Sequence, residues 1–253
     1  MPDDKPILVY QMGKVGSRSA VKAIEDRTDR MIFHIHQLDP EILDRVSKLN
    51  TDAGIAIPPH IEAARIVRDT IVGPGLPADI VTLVREPIGR NISAFFQNLN
   101  IFVPKPDASA REMVDAFVEK YPHNQPAKWF QREVEKHLGI DVFASPFDVT
   151  RGWQVYERGP YRMLLMRCES PDETKAEAIA EFFGWPDVKV TRENLADDKS
   201  YKKQYTAFKD LARFPSSFVD EMLGSDYARH FYTEAELTKY RTKWTAAPET
   251  AVS

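Results

Sequence analysis

The run Asp79-Ile80-Val81-Thr82-Leu83-Val84 constrains this chain more than any other stretch. Apolar residues fill it almost continuously instead of alternating, which is how a short strand buried on both faces reads. Pro6-Ile7-Leu8-Val9-Tyr10 is a second such run, and Met31-Ile32-Phe33-His34-Ile35-His36 reads as a further strand. Helical spacing follows each of them. Ala20, Val21 and Ile24 follow the first, and Asp39-Pro40-Glu41 opens a helix after the second. Residues 88–99 carry a helical pattern after the third. Strands alternating with helices predict a parallel sheet with helices on both faces.

The rest of the chain is more helical. Residues 60–72 predict a helix ended by Gly73-Pro74-Gly75, and residues 109–121 and 126–138 predict two more. Asp141-Val142-Phe143 reads as a short strand. Residues 153–157 and 162–166 flank Arg158-Gly159-Pro160, and either pair as a hairpin or stand as separate strands. Residues 171–183 form a helix ended by Gly184-Trp185-Pro186. From 197 to 244 the sequence is charged, aromatic and helical, and residues 246–253 read as a frayed end. There is no internal repeat and no long linker. The expectation is one α/β domain over residues 1–253, with residues 195–245 as a helical C-terminal cover.

Charge and cysteine usage narrow the function classes. A net charge of −4 argues against a nucleic-acid partner, while leaving room for a local cluster of Lys and Arg to hold a small anion. The single cysteine, Cys168, ends the largely apolar run Tyr161-Arg162-Met163-Leu164-Leu165-Met166-Arg167 and reads as a buried core thiol. It has no partner for a disulfide or a metal site. No apolar run reaches membrane-spanning length. The acidic start, Met1-Pro2-Asp3-Asp4-Lys5, leads straight into a strand and does not resemble a signal peptide, so a cytoplasmic protein is expected.

The first strand is followed by Gln11-Met12-Gly13-Lys14-Val15-Gly16-Ser17-Arg18-Ser19. A turn between a buried strand and a helix N-terminus suits an anion, because the first-turn amides lack intrahelical partners and the helix dipole favours negative charge. Gly13 and Gly16 permit close backbone approach, and Lys14, Ser17, Arg18 and Ser19 add charge and hydroxyls. The loop is not a Walker A sequence, since its Lys precedes the second Gly and the closing Lys-Ser/Thr pair is missing. A second candidate follows the third strand: Arg85 at its carboxyl end and Ser93 eight residues later, an Arg fork and a hydroxyl for one phosphate.

Taken in this order, the two segments resemble the PAPS-dependent sulfotransferase superfamily. Gly13-Lys14-Val15-Gly16-Ser17-Arg18-Ser19 looks like its 5′-phosphosulfate loop, and Arg85-Glu86-Pro87 to Ser93 looks like its 3′-phosphate motif. Met166-Arg167-Cys168-Glu169-Ser170 is similar to its strand-end motif, without the usual Tyr, Asp and Leu. Residues 124–148, with Lys128-Trp129-Phe130 and Gly139-Ile140-Asp141-Val142, and the tail from His230 to Glu236 resemble a bacterial branch of capsular polysaccharide synthesis proteins.

The resemblance implies a P-loop-NTPase-like fold with residues 1–100 as the donor-binding core. It implies PAPS as co-substrate, no metal, and a hydroxyl or amine acceptor, carbohydrate or glycolipid in that branch. Lys14 would contact the bridging oxygen; Gly13, Val15, Gly16, Ser17, Arg18 and Ser19 would complete the 5′ site; Arg85 and Ser93 would hold the 3′-phosphate. The family's C-terminal loop that closes on the donor is not visible, and Lys199, Lys202 and Lys203 are candidates to replace it.

The acceptor proton needs a base. His36 ends the second strand, where the family often carries a histidine, and His34 lies two residues before it, on the same face if the strand continues. Phe95, Phe96, Trp129, Phe130, Phe182 and Phe183 read as core, and Trp153 and Tyr156 either line a pocket or pack. Two rivals stand beside sulfuryl transfer: a P-loop-like kinase or NTPase, and a sulfotransferase-like nucleotide-binding protein without catalysis.

Overall fold

The computed structural model describes residues 4–105, 107–191 and 202–246. Lys199, residues 195–201 of the expected cover and the end from 247 lie outside them. Contacts divide the chain into two compact units: Met1–Arg85 with Lys128–Glu193, and Glu86–Ala127 with Asn194–Ser253.

The first unit is built on a five-stranded sheet of order β2-β1-β3-β5-β4. Its strands are β1 (Ile7–Tyr10), β2 (Ile32–Ile35), β3 (Ala78–Val84), β4 (Trp153–Arg158) and β5 (Tyr161–Arg167). All four residues of β1 and all seven of β3 are buried, as continuous apolar runs require. β1 pairs in parallel with β2 and β3, and β3 in parallel with β5. β4 takes the hairpin, one of the two arrangements that the sequence leaves open. It pairs antiparallel with β5 through a two-residue turn, Gly159-Pro160, with Gly159 at φ +55°. Glycine at the first turn position suits such a hairpin.

Helix α1 (Arg18–Glu25) packs on α9 (Asp172–Phe183), and α9 packs on β5 and β4. Helix α2 (Pro40–Asp52) starts as the sequence predicts, with the Asp39 carboxylate accepting from the Glu41 and Ile42 amides. Helix α3 (Pro59–Val67) packs against β2 and runs on through a π-helical turn, Arg68–Val72. Residues 125–138 form one helical stretch: α7 (Gln125–Trp129), a π segment (Phe130–Glu135) and α8 (Lys136–Leu138). Asp141-Val142-Phe143 is a turn, not a strand: the Asp141 carboxylate accepts from the Phe143 amide, a local bond that competes with strand pairing.

The second unit is helical. It contains α4 (Pro87–Gln97), α5 (Leu99–Phe102), α6 (Ala110–Lys120), α10 (Lys202–Leu211), α11 (Ser216–Leu223), α12 (Asp226–Phe231) and α13 (Glu234–Trp244). Phe95, Phe96, Phe117, Phe208 and Phe214 are all buried there, and their rings contact one another at centroid distances of 5.0–6.5 Å. The expected C-terminal helices therefore share a core with α4 and α6.

Candidate active site

Strand order places the site. From β1 the chain moves to one neighbour, β2, and then crosses to the other, β3. The strand order reverses at that point, and open parallel sheets bind ligands at such a crevice, beyond the carboxyl ends of the strands. Both candidate anion segments begin there, one after Tyr10 and one after Val84.

The loop after β1 has an unusual backbone. Lys14 has φ +75° and Gly16 φ +70°, and among the described residues only Lys14 and Asp187 are non-glycine residues in this region. For an L-residue the left-handed region costs about 1–2 kcal/mol. Alternation of left- and right-handed residues turns successive amides toward one side, as in anion-binding nests. Ser17 occupies the N-cap position of α1 but does not cap it; its hydroxyl accepts from Gln11 Nε2 instead. No acidic residue lies in the first turn of α1, so no carboxylate of that turn competes for its amides. Gln11 is buried, and its Oε1 has no hydrogen-bond partner among the described residues.

Gly16 is required for a second reason. A Cβ there would lie 2.6 Å from Cys168 Sγ. Cys168 is thus not a core thiol. β5 ends at Arg167, and Cys168 is the half-buried residue beyond it, its amide donating to the Val84 carbonyl at 2.7 Å.

Arg85 follows β3 directly, and its Nη1 donates to the Lys14 carbonyl at 3.1 Å. The structure therefore brings together two residues that the sequence separates by 71 positions. Ser93 lies half-buried on α4, in the second unit. The N-terminus of α4 is closed by its own Glu86 carboxylate, which accepts from the Ile88 and Gly89 amides at 3.0 and 2.7 Å and from Trp244 Nε1 at 3.2 Å. An anion at this segment must therefore rely on side chains.

His36 sits just past β2, half-buried, with Nδ1 2.9 Å from the Gln11 carbonyl oxygen. A carbonyl only accepts, so Nδ1 carries a proton, and in the neutral form of the ring the lone pair is then on Nε2. His34 is oriented differently. It is exposed, and its Nε2 lies 3.3 Å from Glu25 Oε1 on α1. The two histidines have separate partners and do not belong to one strand, because β2 stops at Ile35.

Several residues around the site are given no catalytic or binding role by the sequence. The His60 ring lies 5.1 Å from that of His36, and burial lowers the His60 pKa. Trp129 Nε1 donates to the His36 carbonyl at 2.9 Å. Glu133 Oε2 accepts from Tyr10 Oη at 2.6 Å and from the Leu38 amide at 2.7 Å. Burial raises the pKa of Glu133, and burial and then the carboxylate raise that of Tyr10. Trp153 and Tyr156 are buried and pack within β4.

Residues 110–233 match a known family model. Its description reads "Putative capsular polysaccharide synthesis protein". The capsular polysaccharide synthesis match contains Trp129, Glu133, β4, β5 and α9 and begins after the loop, His36 and Arg85. Its description does not mention sulfuryl transfer. No curated protein and no solved structure matches the chain. Among the described residues, no helix is long and apolar enough to cross a membrane.

Proposed function

We propose that this chain is an enzyme of polysaccharide synthesis that transfers a sulfuryl group from PAPS to a carbohydrate or glycolipid hydroxyl. One observation carries the proposal: a strained Lys14–Gly16 loop at the N-terminus of α1, bonded to Arg85 from the neighbouring strand, with an Nδ1-protonated His36 anchored on Gln11 of the same loop. The family description supports the polysaccharide setting.

The residues suit an anionic donor. Lys14 and Arg85 supply positive charge, the loop supplies amides, and the buried Gln11 Oε1 can accept from a donor group or a water. PAPS supplies the activated sulfuryl group. His36 Nε2 takes the acceptor's hydroxyl proton while its Nδ1–H stays on the Gln11 carbonyl, which stabilises the imidazolium. The acceptor O–S bond forms as the bond from sulfur to the 5′-phosphate oxygen breaks, and Lys14 offsets the charge developing on that oxygen. Ser17, Arg18 and Ser19 are assigned to the 5′ end of the donor, and Ser93 joins Arg85 in this reading on the sequence resemblance alone.

Calorimetric titration with 3′-phosphoadenosine 5′-phosphate in EDTA tests the proposal, with ATP and 5′-AMP as controls. Metal-independent binding that needs the 3′-phosphate is expected, and Arg85→Ala weakens it at least tenfold, about 1.4 kcal/mol. A preference for ATP that requires Mg²⁺ would replace the proposal with a kinase-like one. Donor binding without turnover on any glycan acceptor would favour the non-catalytic reading.

A further inference from the structure

From the sequence Trp129 reads as core and as part of the Lys128-Trp129-Phe130 resemblance, and Glu133 as one acid on a helical stretch. Both are 1% exposed, so their polar groups act away from water. Their three hydrogen bonds, at 2.6–2.9 Å, span 93 to 123 positions of sequence and converge on two segments. One segment is Tyr10, the residue before Gln11, whose carbonyl accepts from His36. The other runs from the His36 carbonyl to the Leu38 amide. Glu133 alone joins both segments through one carboxylate oxygen, bolting the end of β1 to the chain beyond β2. Trp129 holds the backbone of His36 itself, and its ring packs edge-on against Tyr10 at 5.2 Å. Apart from this clamp, the Gln11 amide donates to the Ile35 carbonyl at 3.2 Å, the last ladder-type bond before His36.

We propose that Trp129 and Glu133 are positioning residues that fix His36 against the Gln11 carbonyl and thereby select the tautomer with Nε2 as base. The structural part stands on geometry; the role in turnover rests on the sulfuryl-transfer reading above. Buried hydrogen bonds are the means by which a neighbouring shell orients a reactive imidazole, and loosening them releases the ring without removing it. Both residues lie inside the span matched by the capsular polysaccharide synthesis family, whereas His36 lies before it.

The experiment uses the full chain labelled with ¹⁵N and reads long-range ¹H–¹⁵N correlations of its six histidines, with His36→Gln assigning the His36 signals. Wild type should show a single Nδ1–H pattern for His36. Trp129→Phe keeps an aromatic ring but deletes the donor, and Glu133→Gln keeps the shape but deletes the charge. In both, the His36 pattern should shift toward a mixture of tautomers, with His123 and His230 unmoved and 3′-phosphoadenosine 5′-phosphate affinity within about twofold of wild type. An unchanged His36 pattern in the folded variants would overturn the proposal, as would equal shifts at His123 and His230, which mean general loosening. If Glu133→Gln does not fold, Trp129→Phe decides alone. If wild type does not bind the nucleotide, the sulfuryl-transfer reading fails while the histidine spectra still judge the clamp.

Discussion

Lys14 offers a comparison in which the backbone effect separates from the charge. Lys14→Ala and Lys14→Gly both delete the ammonium, but only alanine retains a Cβ at φ +75°. The left-handed conformation costs an L-residue about 1–2 kcal/mol, and glycine returns about 0.5–1 kcal/mol of that through the greater entropy of its unfolded chain. Lys14→Gly should therefore be more stable than Lys14→Ala by about 0.7 kcal/mol, or about 1.5–3 °C in Tm. Urea unfolding followed by tryptophan fluorescence reads this well, since Trp129, Trp153 and Trp185 lie in the first unit and only Trp244 in the second. Both variants should lose turnover far more than nucleotide affinity, because the ammonium acts most strongly on charge that develops in transfer. If Lys14→Ala equalled or exceeded Lys14→Gly in stability, the loop would not be strained at Lys14 and the nest geometry would be wrong.

Gly16→Ala should cost about 2–4 kcal/mol, combining left-handed strain with overlap on Cys168 Sγ, and adding Cys168→Ala should restore the overlap part only, as denaturant midpoints of the single and double variants would reveal. Glu133 has its pKa raised by burial above the ordinary 4.5, so the folded chain binds the extra proton and stability falls as pH rises from about 4.5 through the raised value. Glu133→Gln should flatten that part of the stability–pH curve, and an unchanged slope would show that another group causes it. Glu133→Ala leaves the Tyr10 hydroxyl and the Leu38 amide unsatisfied and should cost about 2–4 kcal/mol in the same unfolding assay.

Much of this architecture was legible because it follows from local chemistry. The apolar runs at Ile7–Tyr10 and Ala78–Val84 could only be strands buried on both faces. Asp39 before Pro40 marked a helix start, and in the structure its side chain caps α2. The loop composition raises the expectation of an anion site because glycine, lysine and hydroxyls stand together between a strand and a helix. Spacing misled where an element ended early: His34 and His36 looked like a pair, but β2 stops between them.

The sequence by itself determined β1, β2 and β3, most of the helices and the residue types of the loop, since each depends on neighbours within a few positions. Only the tertiary structure decided that Lys14 is left-handed, that Arg85 holds its carbonyl, that Cys168 abuts Gly16, and which nitrogen of His36 carries the proton. Those facts depend on strand order and on hydrogen bonds between residues 25 and 71 positions apart, across which no local pattern carries information.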